Sequence, residues 1–209
     1  MRDKIIYNQS KIVENEDIFT LTCENPLPGN KLFDADLIRQ NALEFADVKI
    51  GQDLNFFIKF LLKSKKVNLI NDSLFKYRIV LNGISRTYSF KILDIVNSFK
   101  DIRNYYFRNN SKEIYEEYVS IAELLHYNGQ MSKLTRFSKR LDRKIILLFF
   151  RKYAREIKFK KTSFYKKNKN YVYKFHLKQF FGILFVSKLN CIIYNKLFEF
   201  RERNNLKKF

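Results

Sequence analysis

At 209 residues, 46% hydrophobic and 17% aromatic, the chain is long enough to bury a core and too apolar to be wholly disordered. Its formal net charge is +20, unevenly spread: residues 1–100 hold 15 Lys+Arg against 12 Asp+Glu, leaving 26 of 41 and 9 of 21 for residues 101–209. Two cysteines exclude a disulfide framework, and five Gly with two Pro favour long helices over an all-β meander.

The segment MRDKIIYNQSKIVENED carries four acids and lacks the apolar stretch of a signal peptide, so a reducing cytosol is expected. Asp34 or Asp36 can cap a short helix through Leu37, Ile38 and Leu43. A second helix is expected to start near Asp53, with Leu54, Phe57, Ile58, Leu61 and Leu62 on one face. Val67–Ile70 and Leu74–Ile79 are β-prone runs separated by the turn-forming Asn71-Asp72-Ser73, and Asn82-Gly83 breaks the chain again.

From Ser89 onward the apolar period is helical, through Ile92, Ile95, Val96, Phe99, Ile102 and Tyr106. Asn109-Asn110-Ser111 interrupts it, Ser111 is placed to cap the next helix, and Asn128-Gly129 is placed to end that helix. Met131 to Phe209 reads as two or three basic helices joined by a Lys/Asn-rich connection near 166–170. The nearly apolar run Phe180–Tyr194 contains Lys188 and is fifteen residues long, short of the roughly 20 that cross a bilayer. The expected fold is mainly α with a small β component, α+β, divided at 1–88, 89–130 and 131–209.

His126 and His176 have no second His or Cys at ligand spacing, which argues for ordinary helix-face histidines. Cys23 and Cys191 lie far apart, and neither belongs to a C-x-x-C pair.

The segment NKLFDADLIRQNALEF, followed by IGQDLNFFIKFLLKSKKVNLINDSLFKYRIVLNGISRT, resembles part of the family-2 glycosyltransferases. In that family the corresponding stretch runs from an "NKLF" helix through an "ED" motif to a "Y-R … S-x-S" segment. The likeness covers about residues 25–88 and implies the acceptor-side part of a GT-A fold, without the nucleotide-binding half and followed by a basic helical extension. Asp53 falls on the second acid of the "ED" pair, which the resemblance makes the general base of an inverting transfer; Gln52 stands where the family has the first acid.

Sugar transfer from a nucleotide diphosphate needs a carboxylate to take the acceptor hydroxyl's proton and positive charge to stabilise the departing diphosphate. An Asp directly before an amphipathic run is also an ordinary helix cap, and the helix dipole would favour its ionised form and weaken it as a base. Arg78 and Arg86 flank the loop after the second expected strand and suit bidentate phosphate contacts; the competing reading pairs Arg78 with a nearby carboxylate and leaves Arg86 solvated. Lys31 and Asn30 carry no stronger individual signal than these arginines, whereas Tyr77, alternating with Phe75 and Ile79, reads as packing. A complete family member carries an Asp-x-Asp motif for a divalent cation, Mg²⁺ or Mn²⁺, and nothing equivalent precedes Asn30. Asp34-Ala35-Asp36 spells that pattern after "NKLF", where capping is the expected role.

Residues 136–209 hold 22 Lys+Arg against four acids, interleaved with Phe and Tyr. Such composition suits a membrane-surface helix, a nucleic-acid platform, or helices with solvated Lys faces. Two classes of function follow. One is a glycosyltransferase acting on a nucleotide sugar and a glycan or lipid-linked acceptor, cytoplasmic or at the inner face of the cell membrane. The other is a non-enzymatic basic module for anionic membrane or nucleic acid, the latter without any recognised aromatic or zinc-finger motif.

Overall fold

A computed structural model describes residues 11–24, 26–70, 72, 89–108, 114–131, 133–134, 137 and 139–157. They form a mainly helical α+β structure with one two-stranded sheet. Strand β1 (Lys11–Glu14) pairs antiparallel with β2 (Lys66–Leu69), placing Val13 opposite Val67 and Glu14 opposite Lys66. The latter pair closes an exposed ion pair at 3.4 Å. Only Val13 of β1 is buried, against Ile18, Leu21, Phe57 and Leu61. The second strand thus begins one residue before the predicted run, and its partner comes from the N-terminal segment, which carried no strand prediction. Leu74–Ile79, the second β-prone run, lies outside the described residues.

After β1 the chain continues as a 3-10 segment, Asn15–Cys23, and reaches the short helix α1 (Ala35–Gln40). Helix α2 (Gln52–Lys63) is more deeply enclosed than its predicted single apolar face: Leu54 to Leu61 are all buried. Leu54 and Ile58 join the main core, Phe57 and Leu61 join the core under the sheet, and Phe56 and Phe60 pack with Leu43. The predicted stripe therefore marks two of three packed surfaces.

Helix α3 (Ile95–Arg108) follows a 3-10 turn whose first N–H groups include Lys91, bonded to the Ser89 hydroxyl at 3.4 Å. Ile92, Ile95, Val96, Phe99 and Ile102 are buried as their spacing predicts. Helix α4 (Ile114–Met131) passes through Gly129 rather than ending there. Buried Met131 and Leu134 belong to the main core, and that burial carries the chain another half-turn beyond the expected stop. Helix α5 (Arg140–Glu156), the described part of the basic C-terminal region, inserts Ile146, Leu147, Phe150 and Ala154 into the same core.

Polar contacts fix these helices at defined depths. Between α3 and α4, Arg103 donates to Glu123 at 2.6 Å and to Ser120 at 3.2 Å; within α4, the Tyr127 hydroxyl donates to Glu123 at 2.5 Å. Burial, reinforced by the Glu123 charge and this bond, pushes the Tyr127 hydroxyl's pKa far up, so it stays protonated. Ahead of α5, the buried Arg143 guanidinium holds the Phe137 carbonyl at 2.5 Å.

Gly51 governs where α2 begins. Its φ of +92° favours glycine, and a Cβ there would lie 2.6 Å from Ile95 Cδ1. Across this approach the Ser98 hydroxyl donates to the Gly51 carbonyl at 2.9 Å, and Asn55 Nδ2 donates to the Ser98 carbonyl at 3.0 Å. Gly51→Ala is expected to destabilise the fold by about 2 to 4 kcal/mol through backbone strain and overpacking. Gly129→Ala, with nothing within 4 Å of the added carbon, is expected to stabilise α4 by about 0.5 to 1 kcal/mol. Urea unfolding of the two variants should shift the midpoint in opposite directions; shifts of the same sign would refute this account.

Candidate functional site

The charged cluster nearest the predicted base is assembled from the Leu27–Lys31 turn and the first turn of α2. Pro28 opens a 3-10 turn, Pro28–Asn30, whose tight path brings the Lys31 ammonium back to the Leu27 carbonyl and to Asn30 Oδ1, both at 2.8 Å. The same ammonium lies 4.8 Å from the centre of the Phe57 ring. Phe57 sits four residues after Asp53 on α2, so the two share a helix face.

Asp53 is the second residue of α2, and the cap position belongs to Gly51. This overturns the predicted capping role, because the left-handed turn at Gly51 starts the helix two residues earlier. The Asp53 side chain is exposed at the helix start, yet partial burial of its carboxyl raises its pKa, with the Lys31 charge acting in the opposite direction. Desolvation is the larger of these two effects, so the carboxyl sits above its ordinary value. Burial likewise lowers the pKa of half-buried Lys31, opposed by the charges of Glu24 and Asp53. Lys31, Glu24 and Asp53 are thus electrostatically coupled.

Asp34 does cap α1, its Oδ1 accepting from the backbone N–H of Asp36 at 2.8 Å and of Leu37 at 3.1 Å. Asp36 pairs with Arg39 at 2.5 Å on the surface. Both acids of Asp34-Ala35-Asp36 are committed to local helix contacts, and among the described residues no group of three His, Cys, Asp or Glu side chains is arranged to hold a metal ion. Arg78 and Arg86 lie outside the described residues, as do His176 and Cys191. His126 packs its ring against Phe99, with centroids 6.0 Å apart, and half-buried Cys23 has its Sγ 3.9 Å from the Thr22 hydroxyl oxygen.

A concave feature elsewhere on the surface has no counterpart in the sequence reading. Residues 42–46 with Lys59, Asp101, Asn104 and Tyr105 line a cavity of about 320 Å³. Lys59, buried within α2, donates to Asp101 at 2.5 Å, and its ammonium lies 5.3 Å from the Tyr105 ring centre. Asp101 also accepts from Asn55 at 2.9 Å. The available signal was a single Lys inside LNFFIKFLL, which demands a distant acid; nothing in the sequence identifies Asp101 as that acid. Six residues separate Asp53 from Lys59, about 120° around the α2 axis, so this cavity and the Lys31–Asp53 cluster occupy different faces.

Compared with protein-family models, curated proteins and solved structures, the chain matches none.

The cluster has two measurable signatures. In a carbon-detected NMR titration the Asp53 carboxyl should titrate above the ordinary carboxylate range, and Lys31→Gln should move it further up by removing the charge that lowers it. A downward move would contradict the coupling. Because the folded state binds this proton more tightly, its contribution to stability is complete at acid pH and is lost as pH rises through the folded pKa. Asp53→Asn should accordingly gain stability relative to wild type at neutral pH, and the gain should vanish below the ordinary carboxylate range. Denaturant unfolding across that pH window tests the sign.

Proposed function

We propose that the chain supplies the acceptor-side part of a GT-A-type, family-2-like glycosyltransferase, moving a sugar from a nucleotide-sugar donor to a glycan or lipid-linked acceptor. The reading places it in cell-surface polysaccharide synthesis, in the cytoplasm or at the inner face of the cell membrane. The observation that supports it most is the coupling of Lys31, from the NKLF segment, with Asp53, from the QD segment. Two motifs singled out separately in the sequence lie within electrostatic reach of one another.

In this mechanism Asp53 accepts the proton of the acceptor hydroxyl as its oxygen bonds to the anomeric carbon. The bond from that carbon to the donor diphosphate breaks, and the nucleoside diphosphate leaves with the electron pair. An exposed carboxylate with a raised pKa is suited to the first task, since a base gains strength as its pKa approaches working pH. Lys31 offsets negative charge beside it, and Arg78 and Arg86 are the proposed phosphate contacts. The divalent cation of complete family members is not accommodated by the described acids, given the local commitments of Asp34 and Asp36.

The test measures nucleoside diphosphate release and acceptor glycosylation from a panel of nucleotide sugars, with Mg²⁺ or Mn²⁺ and with saccharide or lipid-linked acceptors. The chain is assayed alone and with a separately expressed nucleotide-binding domain. Transfer should appear in the supplemented reaction, and Asp53→Asn should lower turnover by about 10²- to 10⁴-fold without unfolding the protein. Transfer that survives Asp53→Asn at near wild-type turnover removes the residue as base, and no transfer under any condition rejects the reading. Calorimetry is expected to show poor nucleotide-sugar binding by the chain alone.

A further inference from the structure

Among the described residues eight large apolar side chains are exposed, and three share one helix: Leu141, Ile145 and Leu148, at 65%, 43% and 51% exposure. Their spacing of four and three residues draws them into one stripe along α5. The opposite side of α5 is the one sunk in the core, through Ile146, Phe150 and Ala154. Lys152 is exposed and continues the stripe four residues on, while exposed Lys139, Arg140 and Lys144 gather around its N-terminal end. Of the two acids on α5, Asp142 is half-buried and Glu156 lies at the far end.

We propose that this outer face of α5 docks in the plane of an anionic lipid surface. Aliphatic side chains flanked by cations suit the boundary between acyl chains and headgroups, where the apolar stripe inserts and the ammonium and guanidinium groups meet lipid phosphates. The chemistry favours lipid over nucleic acid because Leu and Ile offer no aromatic plane on which bases stack. It disfavours a second copy of the chain, since an isologous contact would bring the cations Lys139, Arg140, Lys144 and Lys152 of one copy up against those of the other. At 17 residues, α5 lies on such a surface rather than spanning it, and no described helix is long and apolar enough to cross a membrane. The proposal rests on α5 alone and does not depend on the glycosyltransferase reading.

Co-sedimentation of the full chain with phosphatidylcholine vesicles, with and without phosphatidylglycerol, provides the test. Binding should require the anionic lipid and weaken as salt rises, because the screening length falls from about 10 Å at 0.1 M to about 3 Å at 1 M. The triple change Leu141→Gln, Ile145→Gln and Leu148→Gln should weaken binding at least about tenfold while leaving the circular dichroism spectrum and melting midpoint intact. Replacing Lys139, Arg140, Lys144 and Lys152 by Gln should do the same, and it stands as the independent variant should the first fail to fold. Unchanged binding in both variants, or no binding of wild type to anionic vesicles, overturns the proposal. So does a concentration-dependent dimer that the triple change dissolves, or RNA binding that it weakens while vesicle binding persists.

Discussion

The structure depends on α2 being buried on every side while still carrying a cation. Lys59 can stand in that setting because Asp101 meets its ammonium at 2.5 Å and Tyr105 offers a ring face beside it. Removing water from a charge is costly unless an opposite charge and hydrogen bonds replace the water. That requirement ties α2 to α3 at one depth, and the close approach at Gly51 ties them again near the start of α2. With both ends of the contact specified, the first turn of α2 has little freedom. Asp53 is therefore presented from a fixed helix start, a property that suits the proton-accepting role proposed for it.

Much of this fold was legible in the sequence because helical periodicity reports burial directly. The spacing from Ile92 to Ile102 gave α3, and Asp34 announced α1 through an ordinary cap. The failures have physical causes. Strand β1 buries one side chain, Val13, so its four residues carry almost no hydrophobic pattern. Gly129 looked like a helix end because glycine commonly ends helices, but the burial of Met131 and Leu134 outweighs that preference. Between Leu54 and Leu62 only Asn55 and Lys59 interrupt the apolar run of α2, because the helix packs on three sides, and a one-face template captures only part of such a helix.

The candidate site was legible in its residues and illegible in its geometry. Asp53 was identified while Lys31 and Asn30 carried no assigned role, and only the structure shows that the Pro28–Asn30 turn folds Lys31 over Phe57 and brings its charge into reach of Asp53. The competing reading of Asp53 as a cap failed for a specific reason: a glycine at positive φ needs no side chain to begin a helix, and no sequence signal distinguishes Gly51 in that role from Gly51 in a loop. The cavity beside Lys59 could not be anticipated, since its acid lies 42 residues away. Charge asymmetry pointed to the C-terminal half, but composition alone could not separate the faces of α5. Burial of Ile146 and Phe150 does so, by leaving Leu141, Ile145 and Leu148 outside.

The contacts that anchor α2 also carry a kinetic consequence. Gly51 meets Ser98 across 47 positions and Lys59 meets Asp101 across 42, whereas Arg103 meets Glu123 across only 20. Each doubling of a closed loop adds only about 0.6 kcal/mol of entropy cost, yet that difference favours the α3–α4 pair as the earlier assembly. Helix α2, apolar almost all around, would then wait as exposed surface until its docking site exists. Pulse-labelling hydrogen exchange would register this order as protection of α3 and α4 amides before those of α2. The most enclosed element of the finished protein would be the one most open to wrong partners while the protein is being made.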